Sequence, residues 1–140
     1  MLLDELNLES IPTRLPKPRQ AGVTIALDKG LSVREAEDFM SVSSGYVDFV
    51  KLGWGSALIT PSLERKLDVY RDAGVPVYFG GTAFELFFAR DAVDAYESLL
   101  DRLGIQCVEI SDGAVDMSNA VKLSWIEHFA RNRVVLSGVG

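Results

Sequence analysis

Apolar residues in this chain fall into short runs separated by longer stretches with helical spacing. Val23-Thr24-Ile25-Ala26-Leu27 reads as a strand stopped by Asp28-Lys29-Gly30. Ser32-Val33-Arg34-Glu35 has the form of a capping box, and the helix it opens is expected to run to about Ser41. Tyr46 to Leu52 is a second strand. Pro61 opens the next helix, at a position that suits proline, and Gly74 closes it. Val75 to Phe79 is a third strand, ending in Gly80-Gly81-Thr82. A helix from about Ala83, broken near Arg90-Asp91, continues to Leu103, and Gly104 ends it. Gln106 to Ile110 is a fourth strand, ending in Ser111-Asp112-Gly113. Val121, Trp125, Ile126 and Phe129 share helical spacing in a last helix of about Ser118 to Ala130, and Val134 to Ser137 starts a fifth strand.

Strand–helix–strand units without tight hairpin turns imply parallel strands joined by right-handed crossovers. The units recur at roughly 25 to 30 residues, and a complete eight-unit barrel needs ~200 residues or more. The expected fold class is therefore α/β: a parallel (β/α) barrel of TIM type, present as about the first half, roughly five strands, of a (β/α)8 barrel. Residues 1–20 are expected to form an irregular extension and residues 21–140 the partial barrel domain. An unfinished parallel sheet exposes strand edges and apolar surface, so a homo-oligomer is expected.

Hydrophobic residues make up 48% and charged residues 24% of the 140, in the range of a globular protein. A net charge of −6 argues against nucleic acid as the main partner. The basic cluster Arg14-Leu15-Pro16-Lys17-Pro18-Arg19 is expected to be a solvated arm. Cys107 is the only cysteine, which excludes an internal disulfide, and its apolar flanks make it a buried core residue. One His and one Cys exclude a zinc site of the usual N/S type, while a hard cation held by carboxylates stays open. The sequence shows no basic segment leading into an apolar secretory core, and no apolar run long enough to span a membrane. A cytoplasmic location without a membrane partner is the expectation.

The chemistry concentrates at the strand ends. Val47 to Gly55 is a strand that terminates in Lys51 and breaks into Gly53-Trp54-Gly55. An unpaired buried ammonium costs several kcal/mol, roughly, so such a lysine sits at a strand mouth, meets an anion or loses its proton. Side chains alternate across a strand, so Val47, Phe49 and Lys51 share one face, as do Cys107, Glu109 and Ser111, and as do Thr24, Ala26 and Asp28. Asp28, Lys51, Glu109 and Ser111 are thus expected to converge at the carboxyl ends of adjacent strands, where parallel α/β folds bind ligands. Each has a structural alternative. Lys51 can snorkel, Glu109 can form an ion pair with Lys51 or Lys29, and Asp28 can close its own turn with Gly30. Gly80-Gly81-Thr82 precedes a helix, so its amides suit a phosphate or carboxylate, although a tight turn explains it equally well. His128 reads as helix packing or surface, and Phe84-Glu85-Leu86-Phe87-Phe88 as a buried helix face.

Taken together, Leu27-Asp28-Lys29-Gly30-Leu31, Tyr46 through Gly55, Gly80-Gly81-Thr82 with Phe84-Glu85, Val108-Glu109-Ile110-Ser111-Asp112-Gly113, and Val135-Leu136-Ser137 resemble the phosphosulfolactate synthase family. The similarity covers roughly Val23 to the C-terminus. It implies a (β/α)8 lyase that adds sulfite to phosphoenolpyruvate with magnesium, archaeal members serving coenzyme M biosynthesis. On that basis Lys51 is the expected proton donor, with Lys29 its competitor, and Glu109, Asp28 and Asp112 are the candidate metal ligands. Gly53, Gly80, Gly81, Thr82, Ser111 and Ser137 are candidates for gripping substrate oxygens.

Two departures stand out. The family pattern after leucine-serine is glutamate-valine-glycine, whereas this chain reads Ser137-Gly138-Val139-Gly140, and the family continues for several more βα units. Weak or no synthase activity is therefore expected of this chain alone. Two other readings compete: a non-catalytic half-barrel that self-associates, and an aldolase-type barrel using Lys51 or Lys29 as a Schiff-base lysine.

Overall fold

The computed structural model describes residue 12 and residues 14–137, for Ser137 the backbone only. Most of the expected N-terminal extension, the side chain of Ser137 and Gly138 lie outside the described residues. Five parallel strands form one sheet in the order β1-β2-β3-β4-β5: β1 Ile25–Asp28, β2 Phe49–Leu52, β3 Val77–Phe79, β4 Cys107–Ile110 and β5 Val134–Ser137. Five helices alternate with them: α1 Val33–Ser43, α2 Leu63–Asp72, α3 Gly81–Phe88, α4 Val93–Arg102 and α5 Asn119–Ala130. A short 3-10 turn, Ser56–Leu58, which the sequence pattern did not signal, lies between β2 and α2. Sequential strands lie side by side and the sheet is unclosed, as in about half of a (β/α)8 barrel.

Local chemistry explains the punctuation. Ser32 and Glu35 form the expected capping box at α1. Gly74 and Gly104 adopt φ of 67° and 64° after α2 and α4, and each turns the chain directly into the next strand. Two helices, α3 and α4, occupy the stretch expected to break near Arg90-Asp91, and α3 starts at Gly81, two residues before the expected Ala83.

One face of the sheet carries Val50, Leu52, Val77, Phe79, Val108 and Ile110, all buried with residues of the helices such as Ala36, Leu67, Phe84, Tyr96 and Phe129. Phe84 is the hub of an aromatic cluster with Phe88, Tyr96, Trp125 and Phe129. Cys107 is buried, as expected. The opposite face carries Leu27, Lys51 and Tyr78 in register across three strands. It is open: Ile25, Leu27 and Val134 are 46%, 43% and 54% exposed. No helix among the described residues is long and apolar enough to cross a membrane.

The basic cluster is exposed from Arg14 to Pro18, as expected of a solvated arm, but it is pinned to the body of the protein rather than free. Arg19 is nearly buried and donates to Asp48 Oδ1 at 2.7 Å, while Arg14 donates to the Tyr46 carbonyl at 2.8 Å and Lys17 to that of Ser44 at 2.7 Å. Asp48 also accepts from the Thr24 amide at 2.8 Å, so one carboxylate ties the arm to the entry of both β1 and β2. An acid directly before an apolar strand drew the arginines in.

Candidate active site

Lys51, on β2, and Glu109, on β4, meet across the intervening strand. Lys51 Nζ lies 2.8 Å from Glu109 Oε1 and 2.7 Å from Oε2, with Glu109 nearly buried and Lys51 about a third exposed at 29%. Gly80, at the end of β3, makes the crossing possible. A Cβ there would sit 2.8 Å from Lys51 Cε and 3.3 Å from the Leu52 carbonyl, so any other residue would obstruct the lysine's path. Gly81 serves the neighbouring residue in the same way. A Cβ on Gly81 would lie 1.9 Å from Ser111 Oγ and 3.1 Å from Glu109 Oε1.

Tyr78 is the strand neighbour of Lys51. Burial first, then the Glu109 charge, pushes its phenol well above the ordinary value, so it stays a neutral hydroxyl beside the ion pair. Helix α3 starts here with Gly80 at its cap and no side-chain capping bond. The Ala83 amide donates to the Gly80 carbonyl at 2.9 Å, which leaves the Gly81 and Thr82 amides without a side-chain cap at this end of the helix. Thr82, in that first turn, is exposed.

The structure does not bring Asp28 into this group. The register pairs Asp28 with Leu52, so its side chain turns to the helix-covered face, opposite to Lys51. The face sorting grouped Asp28 correctly with Ala26, but sequence alone did not reveal which side of β1 that group takes. There the carboxylate accepts from the Gly30 and Leu31 amides at 2.7 and 2.8 Å and from the Tyr70 hydroxyl at 2.7 Å. It also lies 2.7 Å from the wholly buried Lys66 ammonium, an ion pair off the line of a good hydrogen bond. Burial alone would raise the Asp28 carboxyl, but Lys66, Tyr70 and the two amides together outweigh it and hold it below the usual carboxylate value. The closing of its own turn, the alternative for Asp28, is thus part of what is seen. Asp112 pairs with Lys122 of α5 at 2.7 Å. Lys29 is exposed, with Nζ 4.5 Å from the centre of the Trp54 ring. A Cβ on Gly53 would collide with Leu27 Cδ1 at 2.4 Å, which ties that glycine to packing between β1 and β2. His128 packs on Phe129 and lies 2.9 Å from Glu97.

The inward charge of Lys66 and the partners of Glu85 escaped the sequence reading. Lys66 occupies the apolar spacing Leu63, Lys66, Leu67, Tyr70, a sign that its charge points inward. Glu85 interrupts the run Phe84-Glu85-Leu86-Phe87-Phe88 and is buried as that run implied, but as an acceptor for the turn after β4.

No group of three His, Cys, Asp or Glu side chains comes together to hold a metal among the described residues. Both Glu109 oxygens face the Lys51 ammonium. These residues do not by themselves fit a magnesium ion, which needs near-octahedral oxygen coordination.

A parallel sheet with its polar group at the carboxyl strand ends, helices on one face and an open opposite face defines a (β/α)-barrel protein, here about half of the barrel. Comparison with known proteins narrows the class. The family model described as (2R)-phospho-3-sulfolactate synthase (ComA) matches residues 12–140, and the chain belongs to that family. It is 35% identical over 138 residues to the phosphosulfolactate synthase of Bacillus subtilis (strain 168), covering 99% of this chain and 54% of that one. It is 40% identical over 132 residues to that of Methanothermobacter thermautotrophicus, covering 92% and 51%. Over 110 residues it is 40% identical to that of Methanocaldococcus jannaschii, covering 74% and 44%. The chain spans about half the length of these curated relatives.

Proposed function

We propose that this chain supplies the lysine–carboxylate half of a phosphosulfolactate synthase site, where sulfite adds to phosphoenolpyruvate. The observation that carries the reading is the Lys51–Glu109 pair, laid over Gly80 beside the open start of α3. The α3 amides suit an anionic oxygen of the enol phosphate, and Lys51 adds a positive charge next to them. The sulfite sulfur lone pair forms the C–S bond at the CH2 carbon, and the π pair moves toward the carboxylate as an aci-carboxylate. A proton then returns to the phosphate-bearing carbon, so one proton is consumed and no group leaves. Lys51 gives that proton, while Glu109 holds the lysine head over the glycines. Magnesium, which family membership suggests, finds no ligand set among the described residues.

The test is calorimetric titration of the 140-residue chain with phosphoenolpyruvate and with sulfite, followed by product analysis with both present. Binding that Lys51→Met abolishes supports the reading. Equal binding by wild type and Lys51→Met contradicts it.

Self-association is a second reading, favoured by the exposed Ile25, Leu27 and Val134 on the open face. A second copy would cover that face, and sedimentation velocity across a concentration series decides between dimer and monomer.

A further inference from the structure

Glu85 is a carboxylate only 4% exposed, in the second turn of α3. Its donors all come from the turn after β4. Ser111 Oγ donates to its Oε1 in a short hydrogen bond, the Gly113 amide donates to Oε1 at 3.1 Å, and the Ala114 amide donates to Oε2 at 2.8 Å. A buried carboxylate left without donors would be strongly unfavourable, so these bonds lock the turn to the helix. At the other end of the same contact Ser111 fills the space that a side chain on Gly81 would need. The turn is thus bonded to α3 through Glu85 and packed against its start at Gly81, with Glu109 Oε1 alongside.

We propose that Glu85 is a positioning residue for the anion site: it fixes the β4 turn and, through it, the amides of Gly81 and Thr82. This rests on the reading of the strand ends as a phosphoenolpyruvate site. The same geometry assigns Ser111 a different part from the one expected of it. Its hydroxyl proton is committed to Glu85 and its side chain packs against Gly81, so it does not donate to a substrate oxygen.

Glu85→Gln tests this, because an amide placed there turns an N–H2 toward at least one of the three donors. The full chain carrying Glu85→Gln or Ser111→Ala is compared with wild type by residue-resolved amide exchange and by phosphoenolpyruvate titration. Glu85→Gln is expected to speed exchange at Gly113 and Ala114 about tenfold, leave Val108 and Ile110 unchanged, and weaken phosphoenolpyruvate about tenfold. Ser111→Ala keeps both amide bonds and is expected to stay within about threefold of wild type in affinity. Fast exchange with undiminished affinity in Glu85→Gln overturns the proposal, as does a tenfold loss in Ser111→Ala alone. If Glu85→Gln does not fold, wild-type exchange decides: Gly113 and Ala114 amides that are unprotected, or whose exchange phosphoenolpyruvate leaves unchanged, overturn the proposal, and protection that phosphoenolpyruvate increases supports it. If wild type binds no phosphoenolpyruvate, the function reading fails. The exchange data then stand separately, and protected Gly113 and Ala114 amides that Glu85→Gln releases keep Glu85 as the lock on the turn.

Discussion

Lys51 and Glu109 stand on strands that are not neighbours, yet the lysine nitrogen lies within 2.8 Å of both carboxylate oxygens. Gly80, just past the end of β3 and at the cap of α3, lies beside the lysine stem, and a single methyl there would meet Lys51 Cε at 2.8 Å. Gly80→Ala is therefore expected to displace Lys51 without breaking the core. The melting temperature should change by only a few degrees, while phosphoenolpyruvate affinity falls about tenfold, the worth of one hydrogen bond to a charged group. Calorimetry and circular dichroism on the same sample check both halves.

The Asp28–Lys66–Tyr70 group lies on the opposite face and is predicted to hold the fold rather than the ligand. Lys66→Met removes a wholly buried ammonium and leaves Asp28 uncompensated, at a cost of about 3 kcal/mol or more. Asp28→Leu combined with Lys66→Met should recover part of that loss. Urea unfolding of the two variants provides the comparison. A double variant less stable than Lys66→Met alone would show that the pair itself is not what the core tolerates poorly.

Acid should destabilise the protein through two identified carboxylates. Asp28 and Asp48 are both held below their ordinary value despite burial, Asp28 by Lys66, Tyr70 and two amides, Asp48 by the Thr24 amide and Arg19. A group of lowered value takes up its proton more readily in the unfolded chain, so its contribution is complete above about pH 4 and disappears as the pH falls through the folded-state value. Melting temperature measured from pH 7 down to pH 2 should decline below about pH 4. Asp48→Asn should show a shallower decline than wild type.

Magnesium alone is expected to leave the melting temperature unchanged within a degree or so, since no cage of carboxylates exists among the described residues. With phosphoenolpyruvate present, magnesium should raise it, because such ions commonly bind through substrate phosphate and few protein groups. A clear shift with magnesium alone would point to a preformed site.

Much of this architecture was legible in the sequence because each strand is followed by a glycine-bearing turn and each helix repeats its apolar spacing. The Lys51–Glu109 pair was legible in part: alternation put Glu109 opposite the apolar face of β4 and left Lys51 and Lys29 as its alternative partners, of which the structure has Lys51. Asp28 was not, because alternation groups residues on one strand without saying which group faces the helices. For β1 that depends on its register with β2, which pairs Ala26 with the buried Val50. Arg19 was misjudged because its partner Asp48 is 29 residues away in the chain. Glu85 looked like part of an apolar helix face, and its donors, Ser111, Gly113 and Ala114, reach it only through the packing of α3 against β4.

The most direct test of the central claim is a two-dimensional amide NMR titration of the wild-type chain with phosphoenolpyruvate, repeated on Lys51→Met. The account predicts that wild-type shifts concentrate at Lys51, Gly80, Gly81 and Thr82 and vanish in the variant. Shifts confined to other surfaces, or the same shifts in both proteins, would contradict it.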